Sequence, residues 1–273
     1  MEYPRITSRR NSLARAAGAL AGSPKERRER REFLCEGARL CRDAAQSGIR
    51  IKTCFFTGEA GEKYQDYLRP VLDCCQEAYQ VDPAVAELLA DTKNPQGIFC
   101  VCGWPDALGQ GVIGFAPKKP CLVLENIQDP GNLGTILRTA EGLGRFQVFL
   151  LGDCCDPLSP KVLRASMGAV FRQGLCLEPS AERLLEMLHG RGYQTHGAVL
   201  SESARKVTEV DFSRGLHAVF IGNEGSGLCP QTAAGCRDRI TIPMRGRAES
   251  LNAAAAATVL IWELARGEKG CDG

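Results

Sequence analysis

The sequence predicts an α/β protein whose larger part is a parallel β-sheet covered by helices on both faces. Three observations predict it. From Cys121 onward, short apolar runs alternate with stretches of helical period, the pattern of βαβ units. Residues 1–105 hold a shorter alternation of the same kind, enough for a second, small domain. The 273 residues are 44% apolar and 24% charged with a net charge of +2, values of a globular chain and not of a disordered or collagen-like one. No apolar run is long enough to span a bilayer, and no apolar stretch follows the arginines of the first ten residues as in a secretion signal. The expectation is therefore a soluble, cytoplasmic protein.

The elements follow in order. Ser8 or Asn11 can cap a helix running through Leu20 and ended by Gly22-Ser23-Pro24. A strand over 32–35 leads to a helix over 37–46, with Leu40, Cys41 and Ala44 on one side. Residues 49–56 are rich in strand formers, 62–78 carry helical spacing (Tyr67, Val71, Leu72, Cys75), 84–90 make a brief helix and 97–104 an apolar strand. The glycine- and proline-rich stretch from Pro105 to Pro120 reads as a linker. It contains a G-x-G-x-x-G at Gly109, Gly111 and Gly114. A dinucleotide site needs a helix opening inside that motif, and Phe115-Ala116-Pro117 does not supply one, so a nicotinamide oxidoreductase is excluded. Beyond it, strands are expected at 121–126, 147–151, 175–177, 194–200, 218–222 and 239–243, and helices at 133–143, 160–171, 181–188, 230–235 and 250–266.

Charge and cysteine content bound the chemistry. Residues 1–31 hold nine bases against three acids, a local +6, while the remaining 242 residues sum to −4. A basic arm of this kind suits contact with a polyanion, with Arg5, Arg9 and Arg10 as candidates; the alternative is a solvated helix over the mixed-sign run 25–31. The fourteen cysteines include no C-x-x-C pair and only three histidines accompany them, so buried thiols are expected and no metal site.

Ligands of parallel α/β folds sit beyond the carboxyl ends of the strands, and three loops there carry signal. In the first, Glu125 to Asn132 leads into a helix whose Leu133, Ile136, Leu137, Ala140 and Leu143 are expected to face the sheet. Arg138 lies off that stripe, near the start of the helix, where a cation opposes the dipole unless it meets an anion; the alternative is a surface pair with Glu141. The second, Ile221 to Leu228, places three glycines in six residues beside Glu224, a carboxylate that would repel phosphate and suits a cationic or adenosine-bearing ligand; a tight turn is the alternative. The third runs from Ile242-Pro243-Met244 to Ser250-Leu251-Asn252. There Ser250 can cap a final helix opening on five alanines, whose small side chains let another backbone approach.

Together the P-G-N-x-G-x-x-x-R block (Asn132, Arg138), the G-N-E-G-S-G-L loop at 222–228 and I-P-M followed by S-L-N resemble the three signature motifs of the SpoU/TrmH family. These are RNA ribose 2′-O-methyltransferases of the SPOUT class. The resemblance spans about 120–266, and residues 1–105 resemble the ribosomal-protein-like substrate-binding domain many members carry. It implies an RNA substrate-binding domain with a basic arm over 1–105, a linker over 106–119 and a SPOUT domain with a deep trefoil knot over 120–270. It also implies S-adenosylmethionine as cofactor, held by Leu200, Ile221, Gly222, Asn223, Gly225, Ile242, Met244 and Leu251, and a homodimer with the active site near its interface. The family's catalytic positions fall on Arg138, Asn132, Glu224, Ser250 and Asn252. No histidine lies in these motifs and a guanidinium stays protonated, so Arg138 is expected to hold an RNA phosphate and the developing alkoxide while the proton leaves through phosphate or water. The extra N-terminal domain points to large-subunit ribosomal RNA. Transfer RNA, or RNA binding without catalysis, are the alternatives.

Overall fold

The computed structural model describes residues 3–105, 108, 119–144, 146–247 and 250–267, and the chain divides into two compact units. Most of the glycine-rich stretch 106–118, including Gly109, Gly111 and Gly114, lies outside the described residues, as does the end of the chain from 268.

Unit 1 comprises residues 1–105 and 156–172. Its strands β1 (Arg5–Ile6), β2 (Glu32–Glu36), β3 (Ile51–Phe56), β4 (Glu77–Val81) and β5 (Ile98–Gly103) form one mixed sheet in the order β1-β4-β3-β5-β2. Helices α1 (Ser12–Gly22), α2 (Pro24–Arg30), α3 (Ala38–Gln46), α4 (Gly58–Lys63), α5 (Gln65–Leu72) and α6 (Pro83–Leu89) surround it. The period-2 alternation of the strands sorts the core: Leu34, Phe55, Phe99 and Val101 pack with Ala14, Ala17 and Leu20 of α1 and Val85 and Leu89 of α6. Cys35, Cys54, Cys100 and Cys102 alternate with them and, like Cys41 of α3, are buried, so they serve as small apolar groups. Burial pushes the thiols of Cys35, Cys41 and Cys100 up from their ordinary value, which leaves them poor nucleophiles.

One expectation fails here, and two alternatives left open are decided. The helix expected over 62–78 stops at Leu72, and Glu77–Val81 is a strand pairing in parallel with β3, from Thr53↔Glu77 to Phe56↔Gln80. Helical spacing over Tyr67–Cys75 hid the end, because the i, i+4 pattern of one helix runs past its last turn. Asn11, not Ser8, caps α1, its side chain accepting from Ala14 N at 3.1 Å. The mixed-sign run 25–31 is the helix α2, and one of its bases is not solvated at all. Arg27 is 2% exposed; its Nε donates to Asp156 at 2.6 Å and its guanidinium to the carbonyls of Leu20 and Ala21.

Unit 2, residues 106–155 and 173–273, is built on seven strands that are parallel throughout, in the order β10-β12-β9-β11-β6-β7-β8. They are β6 (Cys121–Glu125), β7 (Gln147–Leu151), β8 (Gly174–Glu178), β9 (Tyr193–Ala198), β10 (Arg205–Lys206), β11 (Leu216–Ile221) and β12 (Asp238–Thr241). The helices of this unit are α7 (Pro130–Leu143), α9 (Ala181–Gly190), α10 (Pro230–Gly235) and α11 (Ala253–Gly267), α8 (Pro160–Ser166) falling in unit 1. β6 and β11 are buried along nearly their whole length because helices cover both sheet faces, which explains their unbroken apolar runs. The helix expected over 160–171 breaks at Met167 and Gly168, both in the left-handed region, and resumes as a single 3₁₀ turn.

Replacing Arg27 by Met should lower stability by about 3 kcal/mol or more, because Asp156 and two carbonyls lose their donor inside the unit. Arg27→Lys should recover only part of it, since an ammonium cannot reproduce the fork. Urea unfolding midpoints read both.

Candidate active site

β6, β9, β11 and β12 all end at one edge of the sheet, and the loops that leave them meet there. α7 begins at Pro130, whose missing N–H costs nothing at a first helical position, and Asp129 caps it by accepting from Asn132 N at 2.8 Å. Arg138 consequently sits in the third turn. The dipole expectation for it is corrected, since that field fades beyond the first turn. Its side chain is exposed and makes no hydrogen bond or ion pair with any described residue, Glu141 included.

The loop after β11 closes on itself. Asn223 and Gly227 exchange two backbone hydrogen bonds of 3.0 Å, and Asn223 Oδ1 accepts from Gly225 N at 2.9 Å and Ser226 N at 3.1 Å. Gly222 has to be glycine: a Cβ there would lie 2.1 Å from the Gly227 carbonyl carbon and from Leu228 N. Asn223 Nδ2 donates to Asn126 O at 2.8 Å, which ties this loop to the one after β6.

Glu224, Asn132 and Asn252 form a continuous network across the three loops. Glu224 Oε1 accepts from Asp129 N at 3.0 Å and from Asn132 Nδ2 at 3.1 Å, and Oε2 accepts from Gln128 N at 3.2 Å. Asn132 Oδ1 accepts from Asn252 Nδ2 at 3.1 Å, and Asn252 Oδ1 accepts from Ala254 N at 2.9 Å and Ala255 N at 3.3 Å. Asn252 is thus the cap of α11. The expectation that Ser250 caps the helix is corrected: the helix opens two residues later, at Ala253, which removes the puzzle of an asparagine in a helix interior. Burial pushes the Glu224 carboxyl up, but the N–H groups of Asp129, Asn132 and Gln128 outweigh it and hold the group below its ordinary value.

Beside this network lies a cleft of about 410 Å³. Leu200, Ile221, Gly222, Asn223, Gly225, Ile242, Met244 and Leu251 all line it, with Glu224 and Ser250. Arg138, Asn132 and Asn252 do not. Arg5, Arg9 and Arg10 belong to unit 1, where Arg5 donates to Asp82 at 2.7 Å and Arg9 lies 4.0 Å from Glu87. Val199, Leu228 and the α11 residues Ala253, Ala256 and Leu260 also line the cleft, and sequence reading missed them. Only the alanine run gave a signal, since small side chains on that helix leave the cleft its width. Among the described residues Glu224 is the one ionisable side chain of the lining, so this part of the cleft is apolar, rich in backbone groups and faintly anionic. That donor set fits a cationic sulfonium bearing an adenosine, in a volume within the usual range for small-molecule sites, and it does not fit a phosphate. Among the described residues no group of His, Cys, Asp and Glu could hold a metal ion.

Comparison with known proteins adds to this geometry. Residues 119–262 match the SpoU rRNA Methylase family and residues 15–100 the MRM3-like substrate binding domain. The chain is 33% identical to an uncharacterized tRNA/rRNA methyltransferase of Synechocystis sp., over 96% of this chain and 93% of that one. It is 29% identical to the 23S rRNA (guanosine(2553)-2′-O)-methyltransferase RlmP of Bacillus subtilis, over 88% and 91%. The crystal structure of an AdoMet-bound rRNA methyltransferase from Sinorhizobium meliloti superposes with a TM-score of 0.85 at 27% identity, covering 97% of this chain and 98% of that one.

Glu224→Gln should weaken the joint between α7 and the glycine loop by about 1 kcal/mol at pH 7, because an amide leaves one backbone N–H without its acceptor. A depressed carboxyl contributes stability above its unfolded value near 4.3 and loses it as pH falls through the folded value. The gap between the two proteins in urea unfolding should therefore narrow from pH 7 to pH 3.5.

Proposed function

The chain belongs to the SpoU rRNA methylase family, and we propose that its cleft and three loops carry out methyl transfer from S-adenosylmethionine to a ribose 2′-hydroxyl of large-subunit ribosomal RNA. It is an S-adenosylmethionine-dependent RNA ribose 2′-O-methyltransferase, as its relatives and their cofactor-bound structures are. The observation that carries the site reading is the convergence of Asn132, Glu224 and Asn252 on one network beside a cleft whose only ionisable group among the described residues is a carboxylate.

The cofactor supplies a methyl group on a sulfonium, activated without help from the protein. What the chain must do is orient and exclude. The loop 222–227 and Ile242, Met244 and Leu251 wall the cleft, presenting backbone groups through glycines that bring the main chain close. Attack requires oxygen, methyl and sulfur in line, so the protein's contribution is largely positional. In this reading Arg138 receives an RNA phosphate and steadies the charge developing on the 2′-oxygen; its exposure and its lack of any partner among the described residues support the assignment. Residues 1–105 recruit the RNA, with Arg5, Arg9 and Arg10 as contacts, supported by the match of 15–100 to a substrate-binding domain. The same reading gives the passage from β12 to α11 the threaded trefoil path of this fold, and its support is that both ends of that passage line the cleft.

A homodimer completes the proposal. α11 buries Ala254, Ala257, Leu260, Ile261 and Leu264, and its other side leaves Val259 36% and Trp262 54% exposed. Neighbouring apolar side chains left in water on one helix face are what a self-association surface needs. No helix among the described residues is long and apolar enough to cross a membrane, which agrees with a place in the cytoplasm.

Labelled S-adenosylmethionine offered with purified ribosomal and transfer RNA should put label into large-subunit ribosomal RNA alone. Arg138→Ala should abolish the label while cofactor affinity by calorimetry stays within twofold, and label in transfer RNA only would overturn the substrate assignment. Trp262→Glu should convert the dimer to a monomer by light scattering; an unchanged mass would remove α11 from the interface.

A further inference from the structure

Between β12 and α11 the chain lines the cleft at Ile242, Met244, Ser250 and Leu251, and the described residues between Met244 and Ser250 include Arg245 and Arg247, separated by Gly246. Both arginines are exposed, and neither makes a hydrogen bond or ion pair with any described residue.

Two cations with no partner among the described residues are an odd choice directly after Met244, which lines this cleft. Its natural occupant is itself cationic, and like charges at the entrance oppose its binding. The nearby carboxylate does not offset them, because Glu224 already accepts from the N–H groups of Gln128 and Asp129 and from Asn132. Nor is the surrounding unit basic: unit 2 holds 15 bases against 17 acids in sequence, a net charge of −2. A catalytic unit repelled overall by a polyanion needs local cations where the reacting ribose arrives. The phosphates flanking that ribose are the anions that must come within reach of the same opening. Arginine suits them, being always charged and able to grip two phosphate oxygens at once.

We propose that Arg245 and Arg247 bind the phosphates flanking the target ribose and so position the 2′-hydroxyl over the cleft. The assignment rests on the methyltransferase reading above. They are positioning residues, not part of the methyl-transfer chemistry. Each phosphate neutralised adds about 0.7 to 0.9 to the salt slope of RNA binding, which at 0.15 M salt amounts to about fivefold in affinity per arginine and about twentyfold for the pair.

The test uses the full-length protein, its Arg245→Ala/Arg247→Ala and Arg245→Lys/Arg247→Lys variants, and unmodified large-subunit ribosomal RNA transcribed in vitro. The alanine pair should raise KM for RNA about twentyfold, leave kcat within twofold, lower the salt slope by about 1.5 and leave cofactor affinity by calorimetry the same or slightly tighter. The lysine pair should keep the salt slope, because it keeps the charges. An unchanged KM and slope in the alanine pair would overturn the proposal, as would a weakened cofactor affinity, which would make the arginines part of the cofactor site. If the unmutated protein methylates no RNA, the methyltransferase reading fails first; filter binding of the same RNA still reads the salt slope and decides the arginines separately.

Discussion

The side chain of Asn132 is where the three loops of the catalytic unit are joined. It donates to Glu224 from one atom and accepts from Asn252 with the other, which a side-chain amide can do because its donor and its acceptor sit on separate atoms. The contacts are partly exposed, so each is worth about 1 kcal/mol or less to stability. Their value is geometric. β6, β11 and β12 would end at one sheet edge in any parallel fold of this order, but the loops leaving them would be free to diverge. With one amide spanning two of them and a carboxylate gripping the backbone of the third, the cleft wall and the helix that carries Arg138 are held in one register.

The glycine loop shows the same division between stability and shape. Gly222 permits main chain to pass main chain at a distance no side chain survives, and Asn223 then replaces the lost side-chain packing with hydrogen bonds to its own loop and to Asn126. The outcome is a wall of backbone groups facing the cleft. Such a wall recognises a ligand by the position of its donors and acceptors and is indifferent to side-chain rotamers, which suits a site that must hold three atoms in line.

How much of this was legible in the residues depended on burial. β6 and β11 read as strands because both their faces are covered and every position is apolar, and the loops after them could be found because they begin where those runs stop. β4 did not read as a strand. Its positions are mostly half-exposed and mixed in polarity, and the helix before it supplied a pattern that seemed to continue. The caps failed for a different reason. Ser250 and Asn252 are both good capping residues, and the choice between them depends on where helical dihedrals begin, which is set by the cleft and not by local preference. Arg27 was unreadable as well: among nine bases in the first 31 residues, nothing local marks the one that a distant aspartate, Asp156, draws into the interior.

The hydrogen bonds that make Glu224 a good joint make it a poor base. A carboxylate held below its ordinary value by three N–H donors has little affinity left for a proton, and its lone pairs already point at those donors. Among the described residues the cleft lining contains no other ionisable side chain, and a guanidinium offers no acceptor for a proton. Within the methyltransferase reading, the 2′-hydroxyl proton therefore passes to something the RNA brings with it, a phosphate oxygen or a water held on one. A sulfonium donor tolerates this arrangement, because the methyl is activated enough that the hydroxyl need not be fully ionised before attack. The chain then needs no strong base of its own, only a cation that fixes the phosphate where it can accept, and the joint at Asn132 keeps the helix of Arg138 in place relative to the cleft.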